Sequence, residues 1–174
     1  MNRPRFYTGD EQDTWVPFAA LLELLPRELD AQLLRDEDLT HFDYFALSML
    51  SNADDHRLQM KELASMTNAT LARLSHVISR LEARGLVRRE RNASDARATD
   101  AVITADGRRK VLQATPGHVE TVRSLLLDVI TPEQAEQLRE ITCDRRGSVA
   151  FVIDASSFIW RRWSSEFDSI DSAK

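Results

Sequence analysis

The chain has one cysteine, Cys143, in 174 residues, so it forms no internal disulfide and its cysteine usage fits a reducing compartment. Only five glycines and five prolines are present, which excludes a collagenous or low-complexity chain. Long apolar runs are missing as well. Val149 to Ile153 is among the longest, far short of the roughly 20 residues that a bilayer crossing needs. Met1 to Asp13 carries Arg3 and Arg5, then turns polar and acidic where a secretion signal needs an apolar core. The expectation is a cytoplasmic protein with no membrane partner. No G-x-S-x-G elbow, P-loop or H-E-x-x-H occurs, and His41, His56, His76 and His118 are too far apart for a short metal-ligand pattern. No catalytic residue, no metal and no cofactor is therefore assigned. There is also no general excess of positive charge, since the net value of −5 argues against a chain that is basic throughout.

The distribution of that charge is uneven. Between Arg57 and Lys110 twelve Arg or Lys meet six acids, a balance of +6 that leaves −11 for the remainder. A basic middle between acidic ends is the asymmetry expected when one segment faces a polyanion. With 43% hydrophobic and 29% charged residues, the chain has the length and composition of one globular domain, or of one with an appendage.

Helix signals dominate. Thr8-Gly9-Asp10-Glu11 has capping-box spacing, and Trp15, Phe18, Leu22, Leu25, Leu29 and Leu33 then recur at three and four residues, predicting a helix over about 10–35. Pro26 falls inside that pattern and is expected to kink or divide it. Thr40 to Asp43 opens a second helix, with Phe42, Phe45, Ala46, Met49 and Leu50 on one face, followed by a polar loop over Asn52 to Arg57. A short helix over Met60 to Met66 and another from Thr70 to Arg84, stopped by Gly85, form a helix-turn-helix. Leu86 to Arg91 and Thr99 to Ile103 read as a β-hairpin around Asn92 to Asp95. Thr104 caps a further helix, expected to bend or break at Pro116-Gly117, and Thr131-Pro132-Glu133-Gln134 starts the last clear one.

On the 71–84 helix, Leu74, Val77, Ile78 and Leu81 form the buried stripe, leaving Ala72, Arg73, Ser75, His76, Ser79 and Arg80 outward. Small side chains let a helix settle into a major groove. Arg73 offers a bidentate fork to guanine, while His76 and Arg80 reach base edges or phosphates. At the hairpin tip, Asp95 can hold a guanidinium or the turn amides while Arg97 projects into a minor groove, with Arg91 just before the turn as the second wing cation. The candidate DNA contacts are Thr70, Ala72, Arg73, Ser75, His76, Arg80, Arg91, Asp95 and Arg97.

The run LQMKELASMT followed by NATLARLSHVISRLEARGLVRRERNASDARATDAVITADGRR resembles the MarR family of winged helix-turn-helix regulators. The likeness lies in the L-A helix, the R-L-E-x-R-G-L-V-x-R helix exit, the wing D-x-R and the return T-x-x-G-R. It is close over residues 58–110 and weaker from Trp15 to Thr142. The resemblance implies a mainly α, dimeric fold with a small β-hairpin wing. It also implies a homodimer that binds double-stranded DNA over a pseudo-palindrome, as a repressor released by a small effector. Residues 1–39 and 104–146 would form the helical dimerisation region and 40–103 the winged DNA-binding domain, with 147–174 an added segment of uncertain structure. Family resemblance also places an effector cleft where Trp15, Phe18 and Leu22 meet His41, Tyr44 and Phe45, suited to a small aromatic acid or phenol. His118 reads as a helix-start residue, and Cys143, in the last family helix, as inert. Ala96 and Ala98 flank Arg97, where the family commonly has a further basic residue. That sparse wing and the acidic flanks also suit a winged-helix protein-interaction module without sequence-specific DNA binding.

Overall fold

The computed structural model describes residues 4–143. Met1 to Arg3 and the 147–174 segment, with Trp160 and Trp163, lie outside the described residues. Among the described residues six α-helices and three strands follow one another: α1 Gly9–Glu37, α2 His41–Asn52, β1 Arg57–Gln59, α3 Met60–Met66, α4 Leu71–Ala83, β2 Val87–Arg91, β3 Thr99–Ile103, α5 Ala105–Val122 and α6 Pro132–Cys143. Among the described residues no helix is long and apolar enough to cross a membrane.

The local start signals operate as read. Thr8 with Glu11 and Thr40 with Asp43 form reciprocal capping boxes, and Thr131 and Gln134 exchange the same pair of bonds. The prolines behave differently from expectation. α1 runs undivided through Pro17 and Pro26, and α5 runs through Pro116 to Val122. A proline removes one N–H and frees one carbonyl a turn earlier. At Pro26 that carbonyl belongs to Leu22, which is exposed and open to water, so the helix survives. After α5 the backbone continues as a π-helical turn over Arg123–Leu127.

α2 is the centre of the molecule. The one-sided stripe expected of it is incomplete, because Asp43, Tyr44, Leu47, Ser48 and Asn52 are buried together with Ala46, Met49 and Leu50, while Phe42 and Phe45 are only half-buried. Neighbours on every side explain this: α1, α3, α5, β1 and β3 all pack against it. Leu33, Leu47, Leu50, Leu63, Leu74, Ile78 and Leu81 form one continuous core. The sheet has strand order β1-β3-β2, all antiparallel, with Leu58 opposite Ala101 and Arg89 opposite Ala101 on the other edge. β1 lies where the sequence suggests only the end of a polar loop. Three residues carry no periodicity, and only pairing with β3 makes them a strand.

Candidate nucleic-acid interface

The turn between α3 and α4 sets the angle of the second helix. Thr67 Oγ1 donates to Leu63 O at 2.7 Å, the Ala69 amide donates to Ala64 O at 2.9 Å, and Asn68 takes a left-handed φ of 49° that a short polar residue tolerates. Thr70 Oγ1 then accepts the Arg73 amide at 3.2 Å, starting α4. Leu74, Val77, Ile78 and Leu81 are buried, whereas Ala72, Arg73, His76, Ser79 and Arg80 are exposed and Ser75 is half-buried.

Several of those outward side chains are already engaged. The Arg73 guanidinium lies over the Phe42 ring, 4.5 Å from its centroid. Arg80 Nη2 donates to Asp43 Oδ1 at 2.5 Å, and that carboxylate is 2% exposed, so this arginine neutralises a buried charge on α2. Arg89 on β2, which sequence reasoning left in the general basic count, ties the wing to α4. Its amide and Nη1 donate to Glu82, and its Nη2 donates to Ser75 O at 2.8 Å and Ser79 Oγ at 2.9 Å. No local pattern marks this role, because it depends on β2 folding back over α4.

The wing tip is built by Asn92 and Asp95. Asn92 Oδ1 accepts the amides of Ser94 and Asp95, both at 2.9 Å, while its Nδ2 donates to the buried Asp100 carboxylate. Asp95 Oδ1 accepts the Arg97 amide at 2.9 Å, which makes it a holder of turn amides. Arg91 and Arg97 are exposed. Most cations of the basic middle are paired: Arg57 and Arg88 with Glu90, Arg80 with Asp43, Arg84 with Asp38, Arg89 with Glu82, Arg109 with Asp106 and Lys110 with Glu37. Among the described residues, Lys61, Arg73, Arg91, Arg97 and Arg108 are the members of that stretch without an ion pair.

The six residues expected to line one effector cleft divide into two groups. Trp15, Phe18 and Leu22 lie exposed on the first half of α1, where Trp15 and Phe18 border an open cleft of about 380 Å³ together with Asp10, Glu11 and Thr14. The buried residues of α1 are Leu29, Gln32 and Leu33, at its far end, and at 1.5 Å per residue Trp15 sits about 21 Å up the helix from Leu29. Within one chain it cannot meet α2. His41 and Tyr44 meet α1 and α5 instead, and Phe45 packs against the core. His118, expected at a helix start, lies buried inside α5. Its ring stacks on His41 at 5.8 Å and tilts against Tyr44 at 4.6 Å, and Tyr44 Oη hydrogen-bonds Thr115 Oγ1 at 3.1 Å. Burial pushes His118 down to about 4, with the facing His41 adding to the effect, and burial lowers His41 against the opposing pull of Asp30. Tyr44 is raised by burial. Gln32 Oε1 and His118 Nδ1 are buried without a hydrogen-bond partner, while the Ser48 hydroxyl interacts with Tyr44. Of these junction residues His41 and Tyr44 are candidates from the sequence, whereas Thr115 and the burial of His118 were missed, because the pattern of α5 shows nothing of what α1 and α2 bring against it.

Comparison with known proteins agrees with this arrangement. The MarR family model matches residues 39–99. The transcriptional regulator HosA of Escherichia coli is 34% identical over 104 residues, 60% of this chain and 75% of HosA. The chain belongs to the MarR family. The HTH-type transcriptional repressor YetL of Bacillus subtilis is 31% identical over 80 residues, and the alignment spans about half of YetL, 48% of its length. Among solved structures, the MarR family regulator Sco3205 of Streptomyces coelicolor, in complex with DNA, is 40% identical with a TM-score of 0.77, covering 81% of this chain and 88% of that one. AbsC of the same organism is 35% identical with a TM-score of 0.76, covering 80% and 93%. The fold is thus the mainly helical winged helix-turn-helix of MarR regulators, with α3 and α4 as the helix pair and β2 and β3 as the wing. The family is one of transcriptional regulators rather than of enzymes. Within it this chain has alanine on both sides of its wing arginine.

Proposed function

We propose that this MarR regulator binds double-stranded DNA in the cytoplasm as a homodimer, with α4 of each subunit in a major groove of a pseudo-palindromic operator. It acts as a repressor that a small ligand releases. The observation that carries this reading is the surface left after ion pairing. Arg73 on the first turn of α4 and Arg91 and Arg97 on the wing stay available, flanked by Thr70, Ala72 and His76, none of which blocks approach to a groove. The relative Sco3205 is solved on DNA at 40% identity, which supports the same use here. Residues 1–39 and 104–146 supply the dimer contacts, and 40–103 the DNA-binding domain.

Selection of bound sites from a random duplex library, followed by a salt titration, tests the reading. Affinity should fall linearly in log salt, with a slope set by the phosphates contacted. Arg73→Ala should remove a base contact of about 1–3 kcal/mol and relax preference at one position of each half-site. Arg97→Ala should weaken binding to most duplexes and lower the salt slope by about one unit per subunit. If both variants bound like the parent, a protein-interaction module would be the better account.

The releasing ligand is assigned to the small aromatic acids and phenols. The α1–α2–α5 junction supports this choice, because it offers the rings of Tyr44, His41 and His118 beside the unpartnered His118 Nδ1. A hundredfold preference for the released form corresponds to about 2.7 kcal/mol of coupling. A screen of aromatic carboxylates and phenols that shifts neither melting temperature nor operator affinity would remove the assignment.

A further inference from the structure

The outward face of α4 has fewer free reading groups than its exposure suggests. Ser75 O and Ser79 Oγ are held by Arg89 and Arg80 is held by Asp43, which leaves Arg73, stacked on Phe42 but without an ion pair, as the available arginine of this face. Leu71 has the opposite character. Its spacing to Leu74, Ile78 and Leu81 places it on the core stripe, and those three residues are fully buried, yet Leu71 is 53% exposed. It is the first residue of α4, just past the edge of the core, and it stands four and eight residues before Ser75 and Ser79. It therefore continues, toward the helix tip, the side of α4 that carries the Arg89 contacts to β2.

A single exposed leucine elsewhere would need no explanation. At the tip of a groove-entering helix, between Thr70 and the small Ala72, it goes in among base edges. Leucine neither donates nor accepts a hydrogen bond, so packing it on the polar edge of guanine, cytosine or adenine strips water from groups it cannot satisfy. In the major groove the apolar group is the 5-methyl of thymine. We infer that Leu71 reads a thymine methyl in each operator half-site, favouring thymine by apolar contact and disfavouring the other bases by dehydration. The inference rests on the reading of α4 as the helix that enters the groove.

The test replaces each thymine of the selected operator in turn by uracil, which removes one methyl and leaves the pairing groups intact. The parent should lose about fourfold in affinity at one thymine per half-site, the value for one buried methyl at about 0.8 kcal/mol. Leu71→Ala should bind the thymine and uracil copies alike, and Leu71→Met should keep the difference. Both variants should melt with the parent, since the side chain is exposed, and if the alanine variant melts early, Leu71→Met and a Leu71→Gln series supply the comparison. Uracil tolerated at every position by the parent, or the same fourfold loss persisting in Leu71→Ala, overturns the assignment. If uracil is tolerated everywhere while Arg73→Ala still relaxes base preference, α4 remains the reading helix and only Leu71 loses its role. If the parent discriminates among no duplexes, both readings fall together.

Discussion

Gly107 lies in the first turn of α5, against the backbone that links α4 to β2. Thr104 donates its amide to Leu86 O at 3.0 Å and its hydroxyl to Gly85 O at 2.7 Å, fixing that stretch of backbone in place, and the Gly107 amide donates back to Thr104 Oγ1 at 3.0 Å. A Cβ at Gly107 would fall on the Leu86 carbonyl oxygen and within 2.6 Å of Ile103 Cγ1. Backbone cannot step aside as a flexible side chain would, so Gly107→Ala should destabilise the fold by about 3 kcal/mol, read as a lowered denaturant midpoint. The two α4 arginines should separate by the same measurement. Arg80→Ala leaves the buried Asp43 carboxylate without its cation, and half-exposure of the Arg80 side chain tempers the loss to about 1–3 kcal/mol. Arg73→Ala removes an exposed cation–π contact and should cost below about 1 kcal/mol. Equal stability of the two variants would show that Asp43 does not depend on Arg80. From the sequence both arginines look alike, outward and basic. What distinguishes them is whether α2 offers a ring or a carboxylate.

At the scale of elements, α2 joins two surfaces. Its first turn holds Arg73 through Phe42 and Arg80 through Asp43, and the same turn sets His41 and Tyr44 against His118 on α5. Around them stand Asp30 of α1, whose Oδ1 accepts the His41 amide at 2.8 Å, and Ser48 of α2 and Thr115 of α5 beside Tyr44. Both histidines are held neutral below their ordinary value of 6.5, His118 down to about 4. Above about pH 6.5 neither state of the chain carries these protons. As pH falls toward 4, the unfolded chain takes up protons that the folded junction refuses, so stability is lost through that window. Melting temperature should therefore drop between pH 6.5 and 4, and His118→Phe should flatten part of the drop. An identical pH profile in parent and variant would dissociate His118 from the effect. The helix starts behind this junction are legible in the sequence, because a cap is settled within three residues. The contact of α5 with α2 joins residues more than seventy positions apart, and no local pattern reports it.

For the whole molecule, the exposed apolar surface argues for a partner. Among the described residues, Trp15, Val16, Phe18 and Leu22 on α1 are exposed, as are Leu127 and Val129 beyond α5. Exposed apolar stripes of this length mark an interface, and a second copy is the symmetric way to cover them. Sedimentation should give about 40 kDa, against 19.8 kDa for one chain. Phe18→Asp should shift the mass toward that of one chain and lower operator affinity with it, since two half-sites are then no longer held together. A parent that sediments as one chain while binding its operator tightly would overturn the dimer.

The sequence by itself determined where the helices start, the helix-turn-helix, the hairpin wing and the buried stripe of α4, because caps, turn residues and 3.6-residue periodicity act between near neighbours. It also carried the family resemblance, since those same residues lie in one unbroken run. Tertiary structure decided which cations of the basic middle remain available, that Arg57–Gln59 is a strand, that α2 is enclosed on nearly every side, and that His118 belongs to a buried junction rather than a helix start. It also parted Trp15 from Tyr44. Each of these outcomes depends on what a distant segment brings into contact, and charge, ring and strand partners far apart in the chain leave no spacing to read.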